Sequence, residues 1–141
     1  MPSFWDTSAL LHICVPGQAS SRAREILRRE APVVWWAAPV EVRSALERLR
    51  LAGSISGPAY AASRQRLDQL LGSWREIQPT ELVRDLACMQ LERFRLRASD
   101  AFHLSAALVW CKQQPRGRLF VSNDDKLTGA AGEAGFRTVS A

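Results

Sequence analysis

Four acidic residues in this chain lie among apolar neighbours, at points where a strand-like pattern ends or a helix-like pattern begins. They are Asp6, Glu41, Asp100 and Asp124. Such neighbours place the carboxylates at the rim of a core, where they would repel one another unless a cation neutralised them. Carboxylate oxygens select a hard cation, so the pattern predicts a Mg²⁺ site, with Mn²⁺ as a substitute. Taken singly, each acid also fits a simpler interpretation, because the helix dipole favours carboxylates in a first turn.

The elements that must position these acids alternate between strand-like and helix-like patterns. Strands are predicted at residues 3–6, 33–38, 75–78, 119–123 and 136–139. Helices are predicted at residues 7–15, 19–30, 39–52, 57–71, 79–95, 100–113 and 124–134, with Ser99 as the cap of the helix from residue 100. The continuous apolar run 33–38 is typical of a strand buried on both faces of a parallel sheet. We therefore predict a single α/β domain, with a central parallel sheet of about five strands flanked by helices.

This topology predicts that the four acids meet at one edge of the sheet. Asp6 ends the first predicted strand, and Glu41 lies in the first turn of the helix after the second. Asp100 begins the helix that leads into the fourth strand, and Asp124 follows that strand. In a parallel sheet all of these positions belong to the carboxyl edge, where open α/β sheets bind their ligands.

The segments around the four acids resemble the motifs of PIN-domain ribonucleases. Residues 4–11 (FWDTSALL) resemble the opening motif of that family, and residues 40–45 (VEVRSA) its second acidic motif. Residues 96–107 (LRASDAFHLSAA) resemble the third and most specific motif, and residues 120–127 (FVSNDDKL) the fourth. The resemblance covers essentially the whole chain, and it is closest to the VapC-like toxins of bacterial toxin–antitoxin pairs.

That resemblance implies a catalytic metal site made of the same four acids: Asp6, Glu41, Asp100 and Asp124. It implies a Mg²⁺-dependent endoribonuclease that leaves a 5′-phosphate and a 3′-hydroxyl. It also implies a cognate antitoxin protein as partner, and a homodimer. The choice among transfer, ribosomal and messenger RNA as substrate stays open.

Several polar residues beside the acids could support them. Ser122 stands where the family usually has threonine, and it keeps the hydroxyl. Thr7 and Ser8 could donate to a site carboxylate, although a plain helix cap explains them equally well. His103 shares a helix face with Asp100, and a supporting role is favoured over catalysis.

The fourth motif leaves one ambiguity, because Asp124 and Asp125 are adjacent and either could be the ligand. The position of Leu127 within the motif favours Asp124. Asp125 would then be an exposed acid in the first turn of a helix.

The charge and composition of the 141-residue chain narrow its function class. The net charge is +5 and arginine supplies nearly all of the positive charge, which suits binding to phosphates. The densest basic stretch is favoured as a solvated helix face over an RNA track, and it comprises Arg22, Arg24, Arg28 and Arg29. Trp35 and Trp36 are interpreted as packing residues rather than base-stacking residues.

The cysteines and the apolar segments indicate the cellular compartment in which the protein works. Cys14, Cys88 and Cys111 are widely spaced and odd in number, which argues against disulfides and a zinc site. Each lies in an apolar stretch, so we expect each to act as a small hydrophobe in a cytoplasmic protein. No signal peptide and no membrane span are predicted.

Two other function classes remain open from the residues alone. One is an α/β phosphohydrolase or phosphotransfer protein with Asp6 as nucleophile, although Ser8 stands where a second aspartate is usual. The other is a non-catalytic RNA-binding module, which would gain nothing from four carboxylates facing phosphate.

Overall fold

Five short strands form one parallel sheet at the centre of the computed structural model, which describes residues 1–141. The strands are β1 (Ser3–Trp5), β2 (Val33–Trp35), β3 (Arg75–Ile77), β4 (Leu119–Val121) and β5 (Arg137–Val139). Their order across the sheet is β3-β2-β1-β4-β5, and every neighbouring pair is parallel. The predicted α/β class and the five-stranded parallel sheet are confirmed.

Seven helices cover the two faces of this sheet. They are α1 (Thr7–Cys14), α2 (Ser21–Arg29), α3 (Ala38–Leu51), α4 (Gly57–Leu71), α5 (Glu81–Phe94), α6 (Ala98–Trp110) and α7 (Asp125–Ala134). Successive strand residues point to opposite faces, so Phe4 joins one buried cluster and Trp5 the other. Helices α5 to α7 pack on the face of Phe4, and α1 to α4 pack on the face of Trp5. The structure therefore has two apolar layers, one on each side of a thin sheet.

The chain reverses its direction of winding between β1 and β4. From β1 it steps outward through β2 to β3, then crosses back to place β4 on the other side of β1. Phe4 pairs with Val33 on one side and with Phe120 on the other. The β1–β4 boundary is thus the topological switch point, where α/β sheets of this kind form a ligand-binding crevice at their carboxyl edge.

Several predicted boundaries differ from the structure at the ends of strands. The second strand ends at Trp35, so the prediction of a strand through residue 38 was wrong. Trp36 and Ala37 form a turn, and Pro39 lies in the first turn of α3, where its fixed φ suits a helix start. Asp6 lies just beyond β1 and caps α1, rather than ending the strand.

The start of α6 also differs from the prediction. The helix begins at Ala98 with Arg97 as its N-cap, so Ser99 is inside the first turn instead of capping it. The Ser99 hydroxyl donates to Glu41 of α3 instead. A tertiary hydrogen bond has replaced the local cap that the sequence suggested.

Two further expectations can be compared with the structure. All three cysteines are free; Cys14 and Cys111 are buried, but Cys88 is exposed on α5, so it is not a core residue. None of the helices has the length and apolar character needed to cross a membrane.

Candidate functional site

A cleft of about 270 Å³ lies at the carboxyl edge of the sheet, beside the switch point. All four predicted acids line it, namely Asp6, Glu41, Asp100 and Asp124. Thr7, Ser8 and His103 line it as well. Residues from the β1–α1 junction, α1, α3, α6 and the β4–α7 junction thus converge on one point, as the parallel topology predicted.

Asp6 is the most enclosed acid of the cleft, with 3% of its surface exposed. It caps α1, and its Oδ1 accepts from the Ala9 N–H at 2.9 Å and from the Ser8 hydroxyl at 2.8 Å. Its Oδ2 accepts from the Ser122 hydroxyl at 2.7 Å. Burial raises the pKa of Asp6 above its usual value, because the charge of His103 and these hydrogen bonds only partly offset the loss of water.

Glu41 is held by three donors on a single oxygen. Its Oε2 accepts from the Thr7 hydroxyl at 2.9 Å, the Ser99 hydroxyl at 2.9 Å and His103 Nε2 at 3.0 Å. Burial acts to raise the pKa of Glu41, but hydrogen bonding and charge from His103, with the two hydroxyls, outweigh it. The pKa therefore lies below its usual value, and Glu41 is ionised at neutral pH.

His103 is buried and supports Glu41 rather than Asp100. Its Nε2 lies 3.0 Å from Glu41 Oε2 and 3.1 Å from Thr7 Oγ1, whereas its Nδ1 has no hydrogen-bond partner. Because the ionised Glu41 carboxylate can only accept, His103 Nε2 carries a proton, which it donates to Glu41 Oε2. The favoured supporting role thus has a geometric basis.

Asp100 differs from the other acids because no donor of the protein compensates its charge. The pKa of Asp100 is raised, first by burial and then by the negative charges of Asp124, Asp6 and Glu41, against the opposing charge of His103. No hydrogen bond contributes to the shift. The cleft therefore holds more negative charge than the protein itself neutralises.

Asp124 and Asp125 occupy different environments. Asp124 is half-buried, lines the cleft and caps α7, with its Oδ1 accepting from the Leu127 N–H at 2.9 Å. Its own N–H donates to the Ser122 hydroxyl at 3.0 Å. Asp125 is exposed in the first turn of α7 and does not line the cleft.

The donor chemistry of the cleft fits a hard divalent cation, but the side chains do not form a ready-made coordination sphere. No group of three or more His, Cys, Asp or Glu side chains is arranged to hold a metal ion. Both oxygens of Asp6, and one of Glu41, already accept hydrogen bonds from the protein. Mg²⁺ keeps several waters and needs only one or two direct carboxylates. Asp100 and Asp124 retain oxygens that no protein donor uses.

Two polar residues of the cleft were not predicted from the sequence as site residues. Ser99 was assigned to a helix cap, and Arg48 was not singled out at all. Glu41, Ala45 and Arg48 all line the cleft from α3. Their spacing of four and seven residues places them on one helix face, and this periodicity was the signal that could have identified Arg48.

We expect Ser122→Ala to destabilise the protein in a pH-dependent way. The Ser122 hydroxyl donates to a buried carboxylate, and such hydrogen bonds contribute about 2 kcal/mol. Without it, the pKa of Asp6 should rise further, so the loss of stability should be full at pH values above the raised pKa, where Asp6 is ionised. The loss should shrink as the pH falls through the raised pKa and Asp6 becomes neutral. Urea unfolding at several pH values measures the effect.

Ser105→Ala is the matched control for that experiment. Ser105 is also buried, but its hydroxyl has no hydrogen-bond partner. Its removal should be neutral or slightly stabilising at every pH. An equal, pH-independent loss in both variants would show that Asp6 does not depend on Ser122.

Comparisons with known proteins identify the fold only. No protein-family model matches the chain, and no curated protein matches it in sequence. Among solved structures, the crystal structure of PAE2754 from Pyrobaculum aerophilum is similar, with a TM-score of 0.67 and 17% identity. The match covers 99% of this chain and 90% of that one. At this identity the likeness supports the α/β architecture over the full length of the chain.

Proposed function

We propose that this protein is a Mg²⁺-dependent endoribonuclease, with its active site in the acidic cleft. The observation that carries the proposal is the convergence of four carboxylates at the switch point, in a chain whose net charge is +5. Uncompensated negative charge inside a basic protein favours a bound divalent cation, and the net positive charge of the chain, with Arg48 at the cleft, favours a polyanionic substrate. The motif resemblance agrees with this assignment residue by residue.

The carboxylate oxygens that accept no hydrogen bond from the protein indicate which residues would hold the cation. Asp100 and Asp124 would bind it directly, and Asp6 would act through water or by exchanging its present hydrogen bonds. Mn²⁺ would suit the same oxygen donors. When bound, such an ion lowers the pKa of water and neutralises charge on a scissile phosphate.

The remaining cleft residues have roles that follow from their contacts. Glu41 is ionised and fixed by three donors on Oε2, so its Oε1 can accept a proton from the attacking water. Thr7, Ser99 and His103 are positioning residues that hold this carboxylate in place. Arg48 is exposed at the cleft and can contact a phosphate oxygen of the RNA.

The biological setting is proposed on the motif resemblance alone. We infer a toxin of a toxin–antitoxin pair, working in the cytoplasm, with an antitoxin protein as its inhibitor and a homodimer as its assembly.

A cleavage assay tests this function against its rivals. The protein is incubated with a panel of single-stranded and structured RNAs in Mg²⁺, Mn²⁺ or EDTA, and the ends of the products are mapped. We expect metal-dependent internal cuts that leave 5′-phosphates. Hydrolysis of p-nitrophenyl phosphate without RNA cleavage would instead indicate a phosphohydrolase using Asp6. RNA binding without any cleavage would indicate a binding module.

We expect Mg²⁺ to raise the melting temperature, because the ion binds the native cleft and not the unfolded chain. At a free concentration about 100-fold above Kd, the stabilisation is about 2.7 kcal/mol. For a domain of this size that corresponds to a shift of roughly 10 °C. Differential scanning calorimetry with Mg²⁺, Mn²⁺ and Na⁺ at equal ionic strength measures it, and equal curves in the three salts would contradict a divalent site.

A further inference from the structure

A second cavity, of about 490 Å³, adjoins the acidic cleft and shares Glu41 with it. Aromatic side chains form one wall, contributed by Trp35, Trp36 and Phe102. Glu81 and Arg84, from the first turn of α5, lie on another side. Glu41 borders both the cleft and this cavity. A nucleic-acid chain bound across the cleft would therefore place a neighbouring nucleotide in the cavity.

Trp36 is held in place and yet half-exposed. Its ring packs edge-to-face on Trp35, with centroids 6.5 Å apart and an interplanar angle of 71°. Trp35 is buried and stacks on Phe102 at 5.3 Å and 4°. The backbone N–H of Trp36 donates to the backbone carbonyl of Ile77 at 3.1 Å, which fixes the turn that follows β2. Trp36 is nevertheless 51% exposed, so its packing on Trp35, which agrees with the prediction of a packing residue, leaves much of its surface accessible.

The charges around this cavity decide what kind of group it can accept. Glu41 and Glu81 contribute two carboxylates, and Arg84 already pairs with Glu81 at 3.5 Å. A phosphate would be repelled there, whereas a neutral, flat group with N–H donors would be favoured. Nucleobases have that chemistry, because they stack on aromatic faces and donate from their Watson–Crick edges.

We propose that this cavity binds one unpaired nucleobase of the RNA, stacked on the Trp36 indole, next to the phosphate that lies in the acidic cleft. The inference rests on the proposed function, since it takes the strand in the cleft to be RNA. Glu81 would accept an N–H donor from the base edge. Such a subsite requires a single-stranded substrate, because a paired base cannot leave its stack without cost.

The test measures RNA affinity without cleavage. A labelled short single-stranded RNA is titrated with the wild-type protein in EDTA at low ionic strength, and its anisotropy is recorded. Trp36→Ala should weaken binding about 5- to 150-fold, the range for loss of one base stack. Trp36→Phe should lose less. Val40→Ala is the matched control, because it removes exposed apolar surface from the same region without an aromatic ring, and it should bind as wild type does.

A second measurement locates the base that stacks. Abasic residues are placed at each position of the RNA in turn. At one position the abasic substitution should weaken binding to the wild type but not to Trp36→Ala, since both changes remove the same contact. In Mg²⁺, Trp36→Ala should still cleave, with a relaxed base preference at a fixed distance from the cut.

The outcomes separate this inference from the proposed function. If the wild type cleaves RNA but Trp36→Ala binds equally well and no abasic position couples to it, the base subsite is wrong. If the wild type binds RNA without cleaving it, the proposed function fails, while the coupling of Trp36 to one base still decides the subsite.

Discussion

Asp100→Asn is expected to lower the rate of RNA cleavage by at least about two orders of magnitude, the scale of losing one charge-stabilising group from an active site. The carboxylate of Asp100 receives no hydrogen bond from the protein, and the charge of His103 only partly offsets the effects that raise its pKa, so in our proposal its charge serves the cation. Asparagine has nearly the same shape but supplies no negative charge. Single-turnover kinetics at saturating Mg²⁺ measure the loss.

The same substitution should stabilise the metal-free protein at neutral pH. Because the folded-state pKa of Asp100 is raised above its ordinary value of 3.8, ionisation of this group opposes folding. That penalty is absent below the ordinary pKa, grows as the pH rises from the ordinary to the raised pKa, and is full above the raised pKa. The variant should therefore melt at a higher temperature than wild type in EDTA at neutral pH, and the difference should vanish in acid.

Asp85→Asn provides a matched control on the exposed surface of α5, where neither the cleavage rate nor the pH profile should change. Near-wild-type cleavage by Asp100→Asn would show that the site assignment is wrong. A lower melting temperature at neutral pH would show that Asp100 has a stabilising partner in the folded protein.

The second large effect is expected from a matched pair of neighbouring substitutions, Asp124→Asn and Asp125→Asn. Asp124 lines the cleft, whereas Asp125 is exposed one residue further along. We expect the first variant to lose cleavage by orders of magnitude and the second to keep it. Asparagine is the right replacement because it is a good N-cap, so the end of α7 should stay intact.

Stability measurements test whether a loss of cleavage arises only from unfolding of the variant. Asp124→Ala would also remove the cap on the Leu127 N–H, at a cost of about 1 kcal/mol, and would mix folding with catalysis. Asp125→Asn should change stability by at most about 1 kcal/mol through the helix dipole. An inactive Asp125→Asn beside an active Asp124→Asn would reverse the assignment of the two residues.

The sequence was sufficient for those parts of the fold that follow from local pattern and chain direction. The α4 helix has the predicted bounds, Gly57–Leu71, because Ser56 caps it and Gly72 ends it. The meeting of Asp6 with Asp124 followed from the rule that parallel strands end at one edge. Neither prediction required any knowledge of side-chain packing.

Contacts between distant helices could not be predicted in this way. The bond from Ser99 to Glu41 spans 58 positions of sequence, and it depends on how closely α6 approaches α3. Trp36 is exposed because β2 ends at Trp35. The apolar run continues to Ala38, so the sequence did not mark where the strand ends and the turn before α3 begins. The Asp100 carboxylate likewise lacks a hydrogen bond because the nearby donors already donate to Glu41 and Asp6. Such a distribution of donors cannot be predicted from the sequence.

The central position of β1 has a consequence for the biosynthesis of this protein. The bond between Ser122 and Asp6 closes a separation of 116 positions, and β1 pairs with β4 over a similar span. Until the ribosome has made the segment through Asp124, a nascent chain has one flank of β1 unpaired and a cleft that lacks Asp124. Parallel pairing at such a distance is slow and leaves apolar strand edges exposed meanwhile. Chaperone demand should therefore be greatest late in translation, and C-terminal truncations before β4 should aggregate rather than accumulate as folded, inactive protein.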